Sequence, residues 1–223
     1  MPNVLITGAN RGIGLELASQ YAARGDSVIA ACRQASDALR ATGARVEKGV
    51  DVTDAAALAA LASRLGSLRI DLLWLNAGQL SREQGDVLDE DAFAAMRRQF
   101  EVNTLGPLRT AQALRANLGE GSKIAIISSR MGSIADNESG GYYGYRASKA
   151  AANAIGRSLA IDLKPRGIGV FLLHPGWVAT DMGGPRATMP PAESAASLIA
   201  RLDALDFAHT GSFWHASGEA LPW

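Results

Sequence analysis

Apolar residues in this chain follow two rhythms. Short, nearly continuous runs occur as NVLIT (3–7), SVIAA (27–31), RVEKG (45–49), DLLWL (71–75), KIAIIS (123–128), GVFLLH (169–174) and GSFWH (211–215). Between them lie longer Ala/Leu-rich stretches, 12–25, 54–66, 89–119 and 143–167, whose apolar positions recur at helical spacing. Asp54 is placed to cap the second stretch, and Gly25, Gly66 and Gly119 stand where helices stop. Residues 183–191 read as irregular. Strands apolar on every position need cover on both faces, so the pattern predicts a mostly parallel sheet of about seven strands with helices on both sides. This is a Rossmann-like, doubly wound α/β fold. No internal repeat or linker divides the chain, and residues 1–223 read as one domain.

In such a sheet ligands bind beyond the carboxyl ends of the strands, where strand order reverses. That rule selects residues 8–14, Cys32 and Arg33, Asp51, residues 76–78, Ser128 and Ser129, and residues 175–180. TGANRGIG (7–14) follows the first run and opens the first helical stretch, with glycines spaced G-x-x-x-G-x-G. Glycine lets the main chain approach a pyrophosphate, which then sits at the positive end of a helix. Gly8, Asn10, Arg11, Gly12, Ile13 and Gly14 are the candidate contacts. An NAD site places an acid about 20 residues beyond the glycines, for the ribose 2′-hydroxyl. Here that place reads AACRQ, with Arg33 and no acid. A guanidinium matches two phosphate oxygens at once. Arg33, assisted by Arg11, therefore favours NADP over NAD.

Charge and composition narrow the field. Lys plus Arg equals Asp plus Glu, 22 of each, so no basic field exists to recruit nucleic acid or anionic lipid. The single cysteine, Cys32, fits a reducing compartment. The start, MPNVLITGAN, shows no leader pattern, and no apolar run reaches the roughly 20 residues of a spanning helix. A cytoplasmic protein is expected, with neither membrane nor nucleic acid as partner. His174, His209 and His215 lack metal-ligand spacing, so no metal is expected, and His174 reads as packed. No G-x-S-x-G is present to support a serine hydrolase.

GGYYGYRASK (140–149) holds three tyrosines and a lysine. On a helix, residues i and i+4 share a face, which pairs Tyr145 with Lys149. Tyr143 points elsewhere, and Tyr142 lies about 10 Å along the axis from the lysine. A free phenol titrates near about 10, so an anion at neutral pH costs about 4 kcal/mol. A neighbouring ammonium and an oxidised nicotinamide both favour the phenolate. Such a tyrosine can give a proton to a carbonyl oxygen and take it back in the reverse direction.

TGANRGIG, DVTD (51–54), NAG (76–78), VN (102–103), ISS (127–129), YRASK (145–149) and PGWVATDM (175–182) follow one another in the order of the short-chain dehydrogenase/reductase family, and the chain resembles that family along nearly its whole length. SSRMGSI, the glycine–tyrosine stretch, HPGWVATDMGG and the final LPW resemble its C-factor and sniffer-type carbonyl reductase branch. The resemblance implies that Tyr145 is the acid/base and that Lys149 binds the nicotinamide ribose and lowers the tyrosine's pKa. It gives Asn103 a relay water toward Lys149. It gives Ser129, three residues before Gly132, the substrate carbonyl, with Ser128 as the alternative. Asp51 and Val52 would flank the adenine. Asn76, Ala77 and Gly78 would line the cofactor and brace the sheet. Pro175, Gly176, Val178 and Thr180 would hold the nicotinamide. The loop ADNESGG (135–141) lengthens the Ser129–Tyr145 interval beyond the family's habit, and residues 181–191 are short where relatives carry a helical lid. Tyr142 and Tyr143 are left to line the pocket or pack.

The implied activity is NADPH-dependent reduction of a small or apolar aldehyde, ketone or quinone. The alternative is a dinucleotide-binding signalling protein of the C-factor type whose role does not need turnover. Ala147, Ala150, Ala151 and Ala154 form a face suited to close helix packing, and a homodimer or homotetramer is expected from the family.

Overall fold

The computed structural model describes residues 1–83 and 88–223. Each of the seven apolar runs forms a strand: β1 (Asn3–Thr7), β2 (Ser27–Ala31), β3 (Arg45–Glu47), β4 (Leu72–Leu75), β5 (Lys123–Ile127), β6 (Gly169–His174) and β7 (Ser212–His215). All pair in parallel, in the order β3-β2-β1-β4-β5-β6-β7. β3 is shorter than predicted because the chain turns back at Gly49 (φ 73°). There the Gly49 and Val50 N–H groups donate to the carbonyls of Arg33 and Cys32.

Alternate strand residues enter opposite layers. Val4, Ile6, Trp74, Ala125, Phe171 and Leu173 pack on one face, against Leu17 and Tyr21 of α1 (Gly12–Ala23), Leu39 of α2 (Asp37–Ala41) and Leu198 and Leu202 of α7 (Pro191–Ala204). Leu5, Leu73, Leu75, Ile124 and Ile126 face the other way, onto α3 (Ala55–Leu65), α5 (Gly106–Ala113) and α6 (Tyr143–Leu163). Both faces of the inner strands are thus sealed, which is why β1, β2, β4, β5 and β6 read as nearly continuous apolar runs, while the edge strands β3 and β7 do not. The Trp74 indole is fully buried and donates to the Tyr21 hydroxyl at 3.1 Å. Asp54 caps α3 as expected, accepting from the Ala56 N–H at 2.8 Å.

The sequence pattern left α2 and α7 unassigned. For α7 the signal was present in Ala195, Leu198 and Leu202 at helical spacing behind Pro191 in the first turn. The long stretch 89–119 divides into α4 (Glu90–Phe100), a π turn over Glu101–Leu105, α5 and a short 3₁₀ turn. Two residues account for the break. Pro107 has no N–H to return to the Asn103 carbonyl four residues back. Gly106 lies so close to Val52 that a Cβ would stand 2.8 Å from Cγ2. Among the described residues no helix is long and apolar enough to cross a membrane.

Candidate active site

Strand order reverses between β1 and β4, and the glycine turn lies at that point. Gly8 has φ 67°, and a Cβ there would stand 2.9 Å from the Ala77 Cα. A Cβ on Gly14 would fall on the Gly8 carbonyl oxygen and lie 2.5 Å from Asn76 Nδ2. Asn76 stitches the turn to β4: Nδ2 donates to the carbonyls of Thr7 (2.9 Å) and Gly8 (3.2 Å). Thr7 Oγ1 in turn accepts from the N–H groups of Asn76 (3.1 Å) and Ala77 (3.2 Å). The NAG segment is therefore a brace. The turn continues into α1, whose N-cap residue Arg11 gives no side-chain cap and whose first turn holds no acid. Its positive end is left open to an anion. Asn10 accepts from Ser36 Oγ at 2.7 Å, Ile13 packs against the core, and Gly12 faces Thr180 Cγ2. A pyrophosphate fits this cradle.

At the end of β2, Cys32 is buried and Arg33 is exposed, with no ion-pair partner among the described residues. Arg11 differs from expectation. Its guanidinium is paired with Asp181, which lies across the cleft after β6. Arg33 is then the open guanidinium where a 2′-phosphate is expected. Asp51 turns inward: Oδ1 accepts from the Thr53 N–H at 2.9 Å and its hydroxyl at 2.8 Å. The Thr53 N–H, then its hydroxyl, with Arg33 adding, hold this carboxyl below the usual range against some burial. Val52 is buried against Gly106.

Tyr145, Ser129 and Lys149 meet at the carboxyl edge of β5. Tyr145 is 7% exposed, and burial pushes its phenol up to about 12, with the nearby Ser129 hydroxyl pulling the other way. Lys149 Nζ is 5.8 Å from the Tyr145 ring centroid and donates to the Ile127 carbonyl at 2.8 Å. Burial lowers its ammonium to about 8. The expected lowering of the phenol by the lysine does not outweigh desolvation in the protein alone, so Tyr145 carries its proton at neutral pH. Ser128 donates instead to Asn153 Oδ1, away from the phenol. The serine beside Tyr145 is Ser129.

Asn103 is buried in the π turn, and its side chain is occupied. Oδ1 accepts from the Gln79 N–H (2.7 Å), while Nδ2 donates to the Gln79 carbonyl (2.7 Å) and Ser148 Oγ (3.0 Å). Both amide hydrogens are used, so a relay water would have to sit on the backbone carbonyl that Pro107 leaves without its α-helical donor. Gln79 and Ser148 were not foreseen, because this pairing joins three separate elements. Glu83 was missed likewise: its carboxylate accepts from the Gly144 N–H at 2.8 Å and caps α6, whose own N-cap residue, Tyr142, offers no side-chain bond.

The segment after β6 closes the far side. Pro175 accepts from Ser194 Oγ at 2.8 Å, Gly176 has φ 88°, and Val178 bridges to Met189. Between Thr180 and α7 the chain forms turns and the bridge at Met189, with no helix. A cleft of about 440 Å³ is lined there by Ala179, Thr180, Asp181, Gly184, Pro185 and Ala187. His174 is packed edge-on to His215, 5.0 Å between centroids, and burial, helped by His215, Arg130 and Lys149, holds it neutral down to about 3.

A family model described as short chain dehydrogenase matches residues 2–190. The chain belongs to the short-chain dehydrogenase family. It is 44% identical over 229 residues, all of both chains, to the 1-hydroxy-2-glutathionyl-2-methyl-3-butene dehydrogenase of Rhodococcus sp. (strain AD45). It is 45% identical over 158 residues to the C-signal of Myxococcus xanthus, covering 69% of this chain and 93% of that one. The NADPH-bound carbonyl reductase from chicken fatty liver superposes with a TM-score of 0.88 at 30% identity, covering 100% of this chain and 99% of that one. The carbonyl reductase Sniffer of D. melanogaster gives 0.88 at 29% identity, with 100% of both chains covered. The doubly wound fold, the oxidoreductase class and the likeness to the C-factor and sniffer branch are as the motifs imply. As a short-chain dehydrogenase the chain acts on small molecules, and its family uses NAD or NADP.

Proposed function

We propose that this short-chain dehydrogenase reduces an aldehyde, ketone or quinone carbonyl with NADPH. The observation that carries the reading is the buried Tyr145 phenol, protonated at neutral pH, beside Ser129 and one helical turn from Lys149. NADPH, when bound, supplies a hydride to the carbonyl carbon. Ser129 orients the carbonyl oxygen by hydrogen bond, and Tyr145 gives that oxygen its phenolic proton, yielding the alcohol. The Lys149 ammonium then lies close enough to stabilise the phenolate that remains. Gly8 to Gly14 and the open end of α1 would hold the pyrophosphate, and Lys149 the ribose. Asp51 and Val52 would flank the adenine, and residues 175–180 the nicotinamide. Arg33 would take the 2′-phosphate, a choice supported by the missing acid after β2 and by the NADPH of the chicken carbonyl reductase structure. The same groups run the reverse direction, the sense in which the Rhodococcus relative is named.

Replacing Tyr145 with Phe tests this. NADPH oxidation across a panel of aldehydes, diketones and quinones should fall by about 10²–10⁴-fold, the usual worth of a positioned acid. Fluorescence titration should find NADPH affinity retained. A variant that keeps its turnover would overturn the assignment. The likeness to the C-signal favours a second reading, dinucleotide-dependent signalling without turnover. That reading gains only if a Tyr145→Phe protein, NADPH-bound and inactive, keeps the biological effect.

A further inference from the structure

Beside the Gly184 turn stands an arginine, Arg82, for which the reaction just described has no use. We propose that Arg82 is the anion-binding residue of the substrate site, and that the preferred substrate carries a carboxylate in addition to its reacting carbonyl. The proposal rests on the reading that substrate sits against Tyr145, and it adds the class of substrate.

Arg82 lies in the segment after β4, and its guanidinium stands beside both the Gly184 turn and the Tyr142 ring. Its terminal nitrogen is 3.3 Å from where a Cβ on Gly184 would stand, and Gly184 lines the 440 Å³ cleft beside Thr180. Its guanidinium carbon is 5.8 Å from the centroid of the Tyr142 ring, which stands at the N-terminus of α6, one turn before Tyr145. Tyr142 is, among the described residues, the one non-glycine residue with positive φ (51°), following Gly140 (63°) and Gly141 (61°). That conformation disfavours a side chain, yet here it presents the ring to the arginine.

Three other arginines are already engaged, while Arg186, between the cleft residues Pro185 and Ala187, is exposed and is the second cation there without an ion pair among the described residues. Arg11 is paired with Asp181, Arg130 with Asp136 and Glu219, and Arg146 donates to the carbonyls of Gly140 and Gly141. Arg82 is exposed and has no carboxylate within ion-pair distance among the described residues. A guanidinium held over an aromatic ring keeps its N–H groups free at its edge, in the planar fork that a carboxylate matches with two bonds. The cation thus stands beside the N-cap residue of the helix that carries the proton donor Tyr145.

The test uses two ligand pairs that differ only by a carboxylate: benzaldehyde with 4-formylbenzoate for turnover, and benzyl alcohol with 4-(hydroxymethyl)benzoate for binding. Affinities of the alcohols for the NADP⁺-loaded protein are read by ligand-observed NMR titration, so the binding result does not depend on turnover. Wild type should favour the carboxylated member of each pair by about tenfold or more, the scale of a charge-assisted bidentate contact. In Arg82→Gln the ratio should fall toward one, and Arg82→Lys, which keeps the charge without the fork, should lie between. A wild-type binding ratio near one, or a ratio unchanged in Arg82→Gln, overturns the proposal. A carboxylate preference that depends on Arg82 while neither aldehyde is reduced would uphold the anion site and sink the carbonyl-reduction reading instead.

Discussion

Lys149 offers a test of the site's electrostatics that needs neither substrate nor cofactor. Its ammonium is 4% exposed with one hydrogen bond, to the Ile127 carbonyl, and burial moves its titration from the ordinary 10.5 to about 8. In the unfolded chain the lysine keeps its proton to about 10.4. Between those limits the unfolded state binds more protons than the folded one, so stability rises with pH across the window. At about 1.4 kcal/mol per tenfold change in proton affinity, the rise from about pH 7 to about pH 10 is roughly 2 kcal/mol. Lys149→Met leaves a neutral chain of comparable length in the same space and should abolish that rise. The assay is urea unfolding of both proteins at several pH values, read as wild type minus variant. The Tyr145 phenol, raised to about 12, acts in the opposite sense above about pH 10, but it is present in both proteins and cancels. A difference that stays flat from about pH 7 to about pH 10 would show that Lys149 keeps an ordinary proton affinity, and the burial argument would fall.

Two further outcomes follow from the cofactor side. Gly14→Ala puts a Cβ onto the Gly8 carbonyl and 2.5 Å from Asn76 Nδ2, and backbone on one side cannot move as a side chain does. We expect a loss of about 1–3 kcal/mol in thermal or urea stability and NADPH affinity down by about tenfold or more. An unchanged melting temperature and affinity would mean the turn is looser than described. Arg33→Ala should weaken NADPH by about tenfold or more while sparing NADH, because only the former carries the 2′-phosphate. Equal loss with both cofactors, in fluorescence titrations, would reassign Arg33.

Much of this protein is written locally, and for a physical reason. A strand buried on both faces must be apolar at nearly every position, so β1, β2, β4, β5 and β6 could be read one by one, and a parallel sheet followed from the helices between them. The glycine turn was legible because close backbone approach excludes every side chain but hydrogen, as Gly8 and Gly14 show against Ala77 and Asn76. Tyr145 and Lys149 were legible because helical spacing fixes their pairing. What the chain alone did not reveal are relations between elements distant in sequence. That Asn103 uses its amide on Gln79 and Ser148, that Glu83 caps α6, and that Arg11 pairs with Asp181 depend on side chains from separate segments converging. The same holds for proton affinity: the sequence suggested that Lys149 would lower the phenol, while tertiary burial, which no local pattern measures, raised it. Spacing decides which groups share a face, and packing decides what charge they can bear there.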